Sequence, residues 1–557
     1  MYLIPTIVSM GTSLKATLFC NFWGIIHTKN FQEDENCIKA NQRYAMTIDR
    51  LSDLSKRGYN IVEKWECSFD HDMLHLTEAE KSHLETLDLV DRLDPRDAFY
   101  GGRCNAIALH CLPLADLQIS YYDVKSMYPD AMKSCPYPEG HPDIITSDFK
   151  EDPCEYFGLI KLRVLPPRDL YHPVLPYRCG GKLKFVLCRN CSEKENYGPC
   201  NCVDSQRSFV GTFVTLEVVR AVEYGYDILK VFEVYHYTEI TQYNSETKTG
   251  GLFTDYVNTF LKIKTEASGY PSWCLTAADK ELYVENFYKH EGVQLDPSKI
   301  KYNPGLRLIA KAFLNNLWGR LGLRDNLPKT EFVRTPERFF EIVNDASNNI
   351  KDFHIITDDA VTVTYERYGD AIGMSTSTNP VLAAFTTCHG RLHLLDYMTS
   401  AGKSLLYTDT DSLFKITDPK RPDLEPPIGD YLGDLSSELK PGEHIVEFAS
   451  SGPKSYVYKT NTGKTECRLK GFSLNYKNSL LINFDVMPDM VLSQKIQGNT
   501  DPKTVVTVNE KKITRNKYQC KIYNSKEVKR YKAVYNKRII MEDLTTVPFG
   551  YDFLNLT

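Results

Sequence analysis

Long apolar runs are missing from this 557-residue chain. None approaches the roughly 20 consecutive apolar residues that cross a bilayer, so no membrane partner is expected. The run Tyr2–Met10 has no basic residue before it and Lys15 after it, which is not the pattern of a secretory signal. An excess of positive charge is missing too: 67 Lys and Arg stand against 72 Asp and Glu, for a net charge of −5. Wholesale electrostatic capture of a polyanion is thereby excluded, and a nucleic-acid enzyme of this balance must concentrate its Lys and Arg in a local channel. Internal repeats and low-complexity tracts are absent, which excludes solenoids and linkers. No P-loop and no Ser–His–Asp order is found, and His27, His110, His172 and His389 form no ligand pattern. With no secretory signal, the 16 cysteines read as core thiols or metal ligands in an intracellular, reducing compartment.

What is present suits a packed α/β (α+β) protein of more than one domain: 42% of residues are hydrophobic and 25% charged. The 35 Tyr and 26 Phe serve base stacking or a core equally well. A polar helical stretch breaks near Leu87–Arg96, and strands and turns alternate from there to about Pro138. Cys179–Cys202 is a Cys- and Gly-rich insert. Phe213–Tyr226 has helical spacing, and Arg307–Leu321 is the clearest helix, with Asn303-Pro304-Gly305 as the break before it. A mixed segment runs from Gly322 to Thr376, followed by a helix at Pro380–Met398 and an apolar strand at Ser404–Tyr407.

Three segments carry chemistry. In ISYYDVKSMYP (Ile119–Pro129) a β-rich run delivers Asp123 at a strand end, where it either caps a turn or holds a divalent cation. On the Arg307–Leu321 helix, Arg307, Lys311 and Asn315 follow one another at i, i+4 and i+8 and share a face. That face is either a solvated basic stripe or a cradle for a triphosphate. In LLYTDTDSLF (Leu405–Phe414), Asp409 and Asp411 lie two apart between apolar runs, where an extended chain would point both the same way. Packed like charges need a cation, and Mg²⁺ takes carboxylates together with phosphate oxygens. Read together, Asp123 and Asp411 would hold two Mg²⁺ ions with Asp409 assisting, while Arg307 and Lys311 grip phosphates: nucleotidyl transfer.

DVKSMYP, KAFLNNLWG and YTDTDS, in that order, resemble motifs A, B and C of family B DNA polymerases. Tyr100-Gly101-Gly102-Arg103 resembles the Y-x-G-G template-binding turn, without the intervening residue. Thr387-Cys-His-Gly-Arg391 resembles T-x-x-G-R, Lys454-Ser-Tyr456 resembles K-x-Y, and Lys470-Gly-Phe resembles a primer-contacting segment. These point to the protein-primed branch of linear plasmids, some phages and Polinton-type elements. The resemblance implies a right-hand fold of palm, fingers and thumb, a primer-template DNA partner, dNTP substrates bound with Arg307, Lys311 and Asn315, and Tyr128 as the gate against ribonucleotides. About 190 residues separate Asp123 from Lys311, and about 90 separate Gly319 from Asp409. Loops this much longer than about 15 residues need a reason, and in this branch such insertions meet the terminal protein that primes synthesis. Motif B departs from the family at Asn316 and Trp318.

The expected division is 1–95 (a small α/β remnant), 96–300 (palm with a terminal-protein-like insertion and a Cys-rich knuckle), 301–330 (fingers helix), 331–440 (second insertion and palm) and 441–557 (palm end and thumb). In the first segment, Tyr44–Phe69 reads as helix, turn and a strand ending at Trp65-Glu66, similar to a restriction-endonuclease-like insert. No Asp-x-Glu strand precedes the Tyr100 turn, so the resemblance implies a polymerase without proofreading. Cys188, Cys191, Cys200 and Cys202 have knuckle spacing and read either as a structural zinc site or as unligated thiols, with Cys179 as a further candidate. The expected function is DNA-directed DNA synthesis in the replication of a mobile element, plasmid or virus. The alternative is a degenerate, element-derived DNA-binding protein. A reverse-transcribing enzyme is disfavoured, through the resemblance, by Tyr128 and the motif order.

Overall fold

A computed structural model describes residues 35–56, 66–78, 80–81, 90–368, 377–493, 505–516 and 521–553. They fall into two compact units, one of Arg92–Leu323, Ser377–Lys512 and Ser525–Thr557, the other of Met1–Asp91, Arg324–Thr376 and Ile513–Asn524.

The larger unit is built from β1 (Cys104–Ala106), β2 (Gln118–Val124), α1 (Met127–Ser134), β3 (Gly158–Leu165), β4 (Phe209–Val214), α2 (Thr215–Glu223), β5 (Asp227–His236), α3 (Thr254–Glu266), α4 (Ala277–Glu291), α5 (Pro304–Leu321), α6 (Pro380–Ala401), β6 (Leu405–Asp409), β7 (Ser412–Thr417), β8 (Leu435–Ser437), β9 (Ile445–Gly452), β10 (Ser455–Thr460) and β11 (Thr465–Arg468), joined by shorter pieces. Its main sheet runs β1-β6-β7-β2-β9-β10-β11, with β8 on β2 and His110–Cys111 on β9. Alternation assigns the faces. On β7, Leu413 points to a cluster with Val124, Met127, Leu394 and Met398, and Phe414 points to one with Tyr407, Phe448, Tyr456 and Met487. Both faces are covered, which is why these strands read as near-continuous apolar runs. A second sheet pairs Asp143–Ile145, β5, β3 and β4 in that order.

Phe213-Val214 falls in β4 instead of the helix expected over 213–226. The pairing Ile160↔Phe213 on β3 outweighs local helical spacing, and the helix begins at Thr215. The helix α5 begins as its sequence suggests: Asn303 caps it through Leu306 N–H (3.1 Å) and Pro304 occupies its first turn. Two charged pairs are sealed inside. Lys133 meets Glu291 at 2.9 Å. Arg391 on α6 binds Glu217 on α2 through two parallel bonds of 2.7 and 2.8 Å, with both side chains at most 1% exposed.

In the smaller unit, Lys329–Val333, Ala360–Arg367 and Asn348–Thr357 form a three-stranded antiparallel sheet with the helix Pro336–Asn344. Its core is Val333, Ile342, Val363 and Tyr365. The sequence offered only a mixed segment here. In the N-terminal region Glu35–Lys56 is helical. The strand expected up to Trp65-Glu66 lies mostly outside the described residues, and Glu66 opens a second helix, Glu66–Leu74.

Removing one partner of a buried bidentate pair strands the other charge, a loss of about 3–5 kcal/mol. Glu217→Gln should therefore shift the chemical denaturation midpoint of the larger unit strongly. Arg391→Lys should do nearly as much, since an ammonium cannot reproduce the fork.

Candidate active site

The site begins with register. Ser412 pairs with Asp123 across β7 and β2, and Asp409 pairs with Ser412 across β6 and β7. Asp123 therefore stands at the end of the sheet where the Thr410-Asp411 turn joins β6 to β7. Alternation along an extended strand does not apply to Asp409 and Asp411 as expected, because Thr410 adopts φ 65° and Asp411 sits in the turn. That turn is held from both sides: Thr410 N–H donates to Arg103 O (2.7 Å), and Val124 N–H donates to Asp411 O (2.8 Å).

The carboxylates press on one another. Burial, then the charges of Asp411 and Glu438, raise the Asp123 pKa to about 7, against a pull from Lys311. Asp411 is raised by burial and by Asp409. Asp409 is engaged by Lys454, 3.1 Å away. Lys454 is set by its own backbone, at φ 58°, where its N–H donates to the Tyr407 hydroxyl (2.6 Å).

Facing this acidic end is a basic one. Arg307, Lys311 and Asn315 are exposed on α5, while the neighbouring Ala310 and Leu314 are buried. Lys264 of α3 joins them. Burial lowers its pKa, and the charges of Lys311, Arg307 and Lys125 add to the effect, so four cations share one neighbourhood. Lys264 Nζ donates to Ser126 Oγ (3.2 Å), tying the group to the turn after Asp123. Lys264, Lys125 and Glu438 were missed in the sequence. Only the motifs flanking them drew notice, and no periodicity links residues so far apart in the chain.

Tyr128 lies half-buried beside this group, its ring 4.6 Å from that of Trp318, which also meets Phe99 edge-on. Gly390 makes room for it: a Cβ there would come within 2.9 Å of the Tyr128 ring and 2.8 Å of Met127.

The residues expected to contact DNA divide into two sets. Gly101, Lys454 and Lys470 are exposed and Gly102 half-buried. Tyr100, Arg103, Thr387, Arg391 and Tyr456 are buried, which corrects their assignment as direct contacts. Arg103 donates to Pro173 O and Val174 O and lies over the Phe185 ring. Thr387 donates back into its own helix. Tyr456 packs among Tyr407, Phe414 and Phe448. Arg391 donates its remaining nitrogen to Tyr100 O (2.8 Å) and Gly101 O (3.3 Å), so it positions the turn it was expected to accompany. Gly102 abuts the Thr410-Asp411 turn, since a Cβ there would lie 2.9 Å from Thr410 Cγ2.

The thiols of Cys188, Cys191, Cys200 and Cys202 converge within 4.8 Å of one another, the one group of three or more such ligand atoms found among the described residues. Cys179 stays outside it, directed at Ser192 O. Among the described residues no helix is long and apolar enough to cross a membrane.

Residues 37–273 match the family of DNA polymerase type B, organellar and viral. A probable DNA polymerase of Neurospora intermedia is 23% identical over 375 residues, 64% of this chain and 30% of that protein. One of Ascobolus immersus is 23% identical over 321 residues, 57% and 21% of the two lengths. The chain thus spans less than a third of these curated relatives. Among solved structures, Phi29 DNA polymerase complexed with primer-template DNA is 12% identical at a TM-score of 0.46, covering 78% of this chain and 61% of that one. Its ternary complex with incoming nucleotides is 14% identical at 0.47, with the same coverage. Part of the chain is thus similar to the organellar and viral type B DNA polymerases.

Two outcomes follow from this geometry. Gly102→Ala should push Thr410 and so misplace Asp411. Displacements near 1 Å of a reacting group cost about 10²-fold, so a reaction that depends on the Asp411 carboxylate should slow on that scale while the melting temperature barely moves. Because a cation must displace the proton that Asp123 holds up to about pH 7, Mn²⁺ affinity measured by calorimetry should rise as pH increases through that value.

Proposed function

We propose that this chain is the polymerising part of a DNA-directed DNA polymerase that adds dNTPs to a primer 3′-hydroxyl or to a protein primer. It would serve replication of a mobile element, plasmid or virus. The observation that carries the reading is the meeting of Asp123 and the Asp409–Asp411 turn at one sheet end, opposite Lys311, Arg307 and Lys264. In this reading the main sheet is the palm, α5 belongs to the fingers, and the strands after Gly442 lead to the thumb.

The donor set fits two Mg²⁺ ions. Asp123 and Asp411 offer carboxylate oxygens, and Asp411 raises the pKa of Asp123 while Asp409 raises that of Asp411, as carboxylates awaiting a cation do. When bound, such ions supply Lewis-acid activation of the attacking oxygen and charge neutralisation on the departing pyrophosphate. The chain's own residues do the rest. Lys454 holds Asp409 in place. Lys311, Arg307 and Lys264 bind the β- and γ-phosphates, with Asn315 beside them, and the Tyr128 ring, wedged between Trp318 and Gly390, excludes a ribose 2′-hydroxyl. Lys454, which engages Asp409, and Lys470, both exposed, suit the primer strand. Arg391 and Arg103 shape the turn that a template would cross. A terminal protein supplying a protein hydroxyl as primer completes the proposal.

The test is primer extension on a singly primed template with Mg²⁺ and dNTPs, beside Asp409→Ala/Asp411→Ala. Extension is expected in the parent, and the double variant should lose several kcal/mol of transition-state stabilisation, about a thousandfold or more in rate. Tyr128→Ala should incorporate ribonucleotides that the parent rejects. Primer-template binding without any extension would instead identify a degenerate DNA-binding protein.

A further inference from the structure

We infer that Cys188, Cys191, Cys200 and Cys202 bind one structural Zn²⁺, and that this ion pins the C-terminal segment to the edge of the sheet that carries Asp409. Zinc–thiolate bonds of about 2.3 Å arranged tetrahedrally require sulfurs about 3.8 Å apart. Cys191 Sγ and Cys202 Sγ are 3.8 Å apart, and all four sulfurs lie within 4.8 Å of one another with no disulfide among them. N–H groups point at the sulfurs, as the surroundings of thiolate ligands do. Cys191 N–H donates to Cys188 Sγ (3.4 Å), Asn190 Nδ2 to Cys202 Sγ (3.2 Å) and Asn196 Nδ2 to Cys191 Sγ (3.5 Å). Between Cys188 and Arg207 the chain forms only two short helical turns, Arg189–Glu193 and Asp204–Arg207, and a metal would add to the support that Cys188 and Cys191 draw from the core they join. Four thiolates close the coordination sphere, so the ion is structural.

Its reach is set by what the knuckle touches. The N–H groups of Leu187 and Cys188 both donate to Phe549 O, at 2.8 and 3.1 Å. Arg168 donates to Cys200 O (3.4 Å) and Cys202 O (3.0 Å), and its own carbonyl accepts from Asp552 N–H at 2.8 Å. Gly550, at φ 91°, lies so close that a Cβ would sit 2.4 Å from Cys188 Cβ. The same segment then crosses to the main sheet. Thr546 N–H donates to Ile107 O (2.7 Å) and its hydroxyl to Ala106 O (2.8 Å), the end of β1, and β1 pairs Cys104 with Asp409. Seven residues, 546–552, therefore link the thiolate knuckle to the strand alongside Asp409.

The experiment measures zinc in the full chain, purified without chelator, by inductively coupled plasma mass spectrometry. One zinc per chain is expected, retained by Cys179→Ser and lost by Cys200→Ser. Cobalt substitution should give the intense visible absorption of a tetrahedral thiolate site. Withdrawing the metal from the folded protein should make the chain around Phe549 newly susceptible to limited proteolysis. Zinc well below one per chain with no cobalt spectrum would overturn the site, as would full zinc in Cys200→Ser. Zinc present but an unchanged cleavage pattern after its removal would overturn the pinning. None of these readouts depends on polymerase activity, so the site stands or falls separately from the function proposed above.

Discussion

Arg391 is cut off from water, and burial alone works against its charge. The Glu217 carboxylate beside it more than restores that charge. Two of its nitrogens are committed to Glu217, which leaves one for the carbonyls of Tyr100 and Gly101. From there the constraint runs along the chain. The turn so held presents Arg103 O to Thr410 N–H, and Gly102 leaves the space Thr410 occupies. The position of Asp411 is therefore tied to the Arg391–Glu217 ion pair through backbone atoms. Side-chain freedom at the surface has little say in it.

Charge is the second organising theme. A chain of net −5 gathers three cations about Lys264 and sets three aspartates against them. The separation is short-range and built by topology: the acids come from strand ends and the β6–β7 turn of one sheet, the cations from α3, α5 and the turn after β2. Lys311 contributes to both sides, lowering the proton affinity of Asp123 and that of Lys264. A site of this kind gains its field from local juxtaposition in a partly buried setting, where screening by water is weakened.

Much of this was legible in the amino-acid order. Local signals placed α5, whose cap and proline are adjacent in sequence, and the apolar strands around DTD, whose burial on both faces leaves continuous runs. The knuckle cysteines announced themselves by spacing. Other features were not legible because they depend on partners distant in the chain. Phe213 reads as helical until β3 is paired with it. Arg391 and Arg103 read as surface cations suited to DNA until Glu217 and the Pro173 and Val174 carbonyls close around them. Lys264 and Glu438 carry no motif and acquire significance only from their neighbours.

Gly390 and Tyr128 belong to different motifs, yet they share one volume: the missing side chain of the first is the space the ring of the second fills. Neither position can drift alone in descent. A larger residue at 390 would shift the ring, and with it whatever the ring meets, with no change at position 128 itself. Lineages that vary at one of these positions should carry a compensating change in bulk at the other, so the pair would evolve as a unit even though more than two hundred residues of chain lie between them.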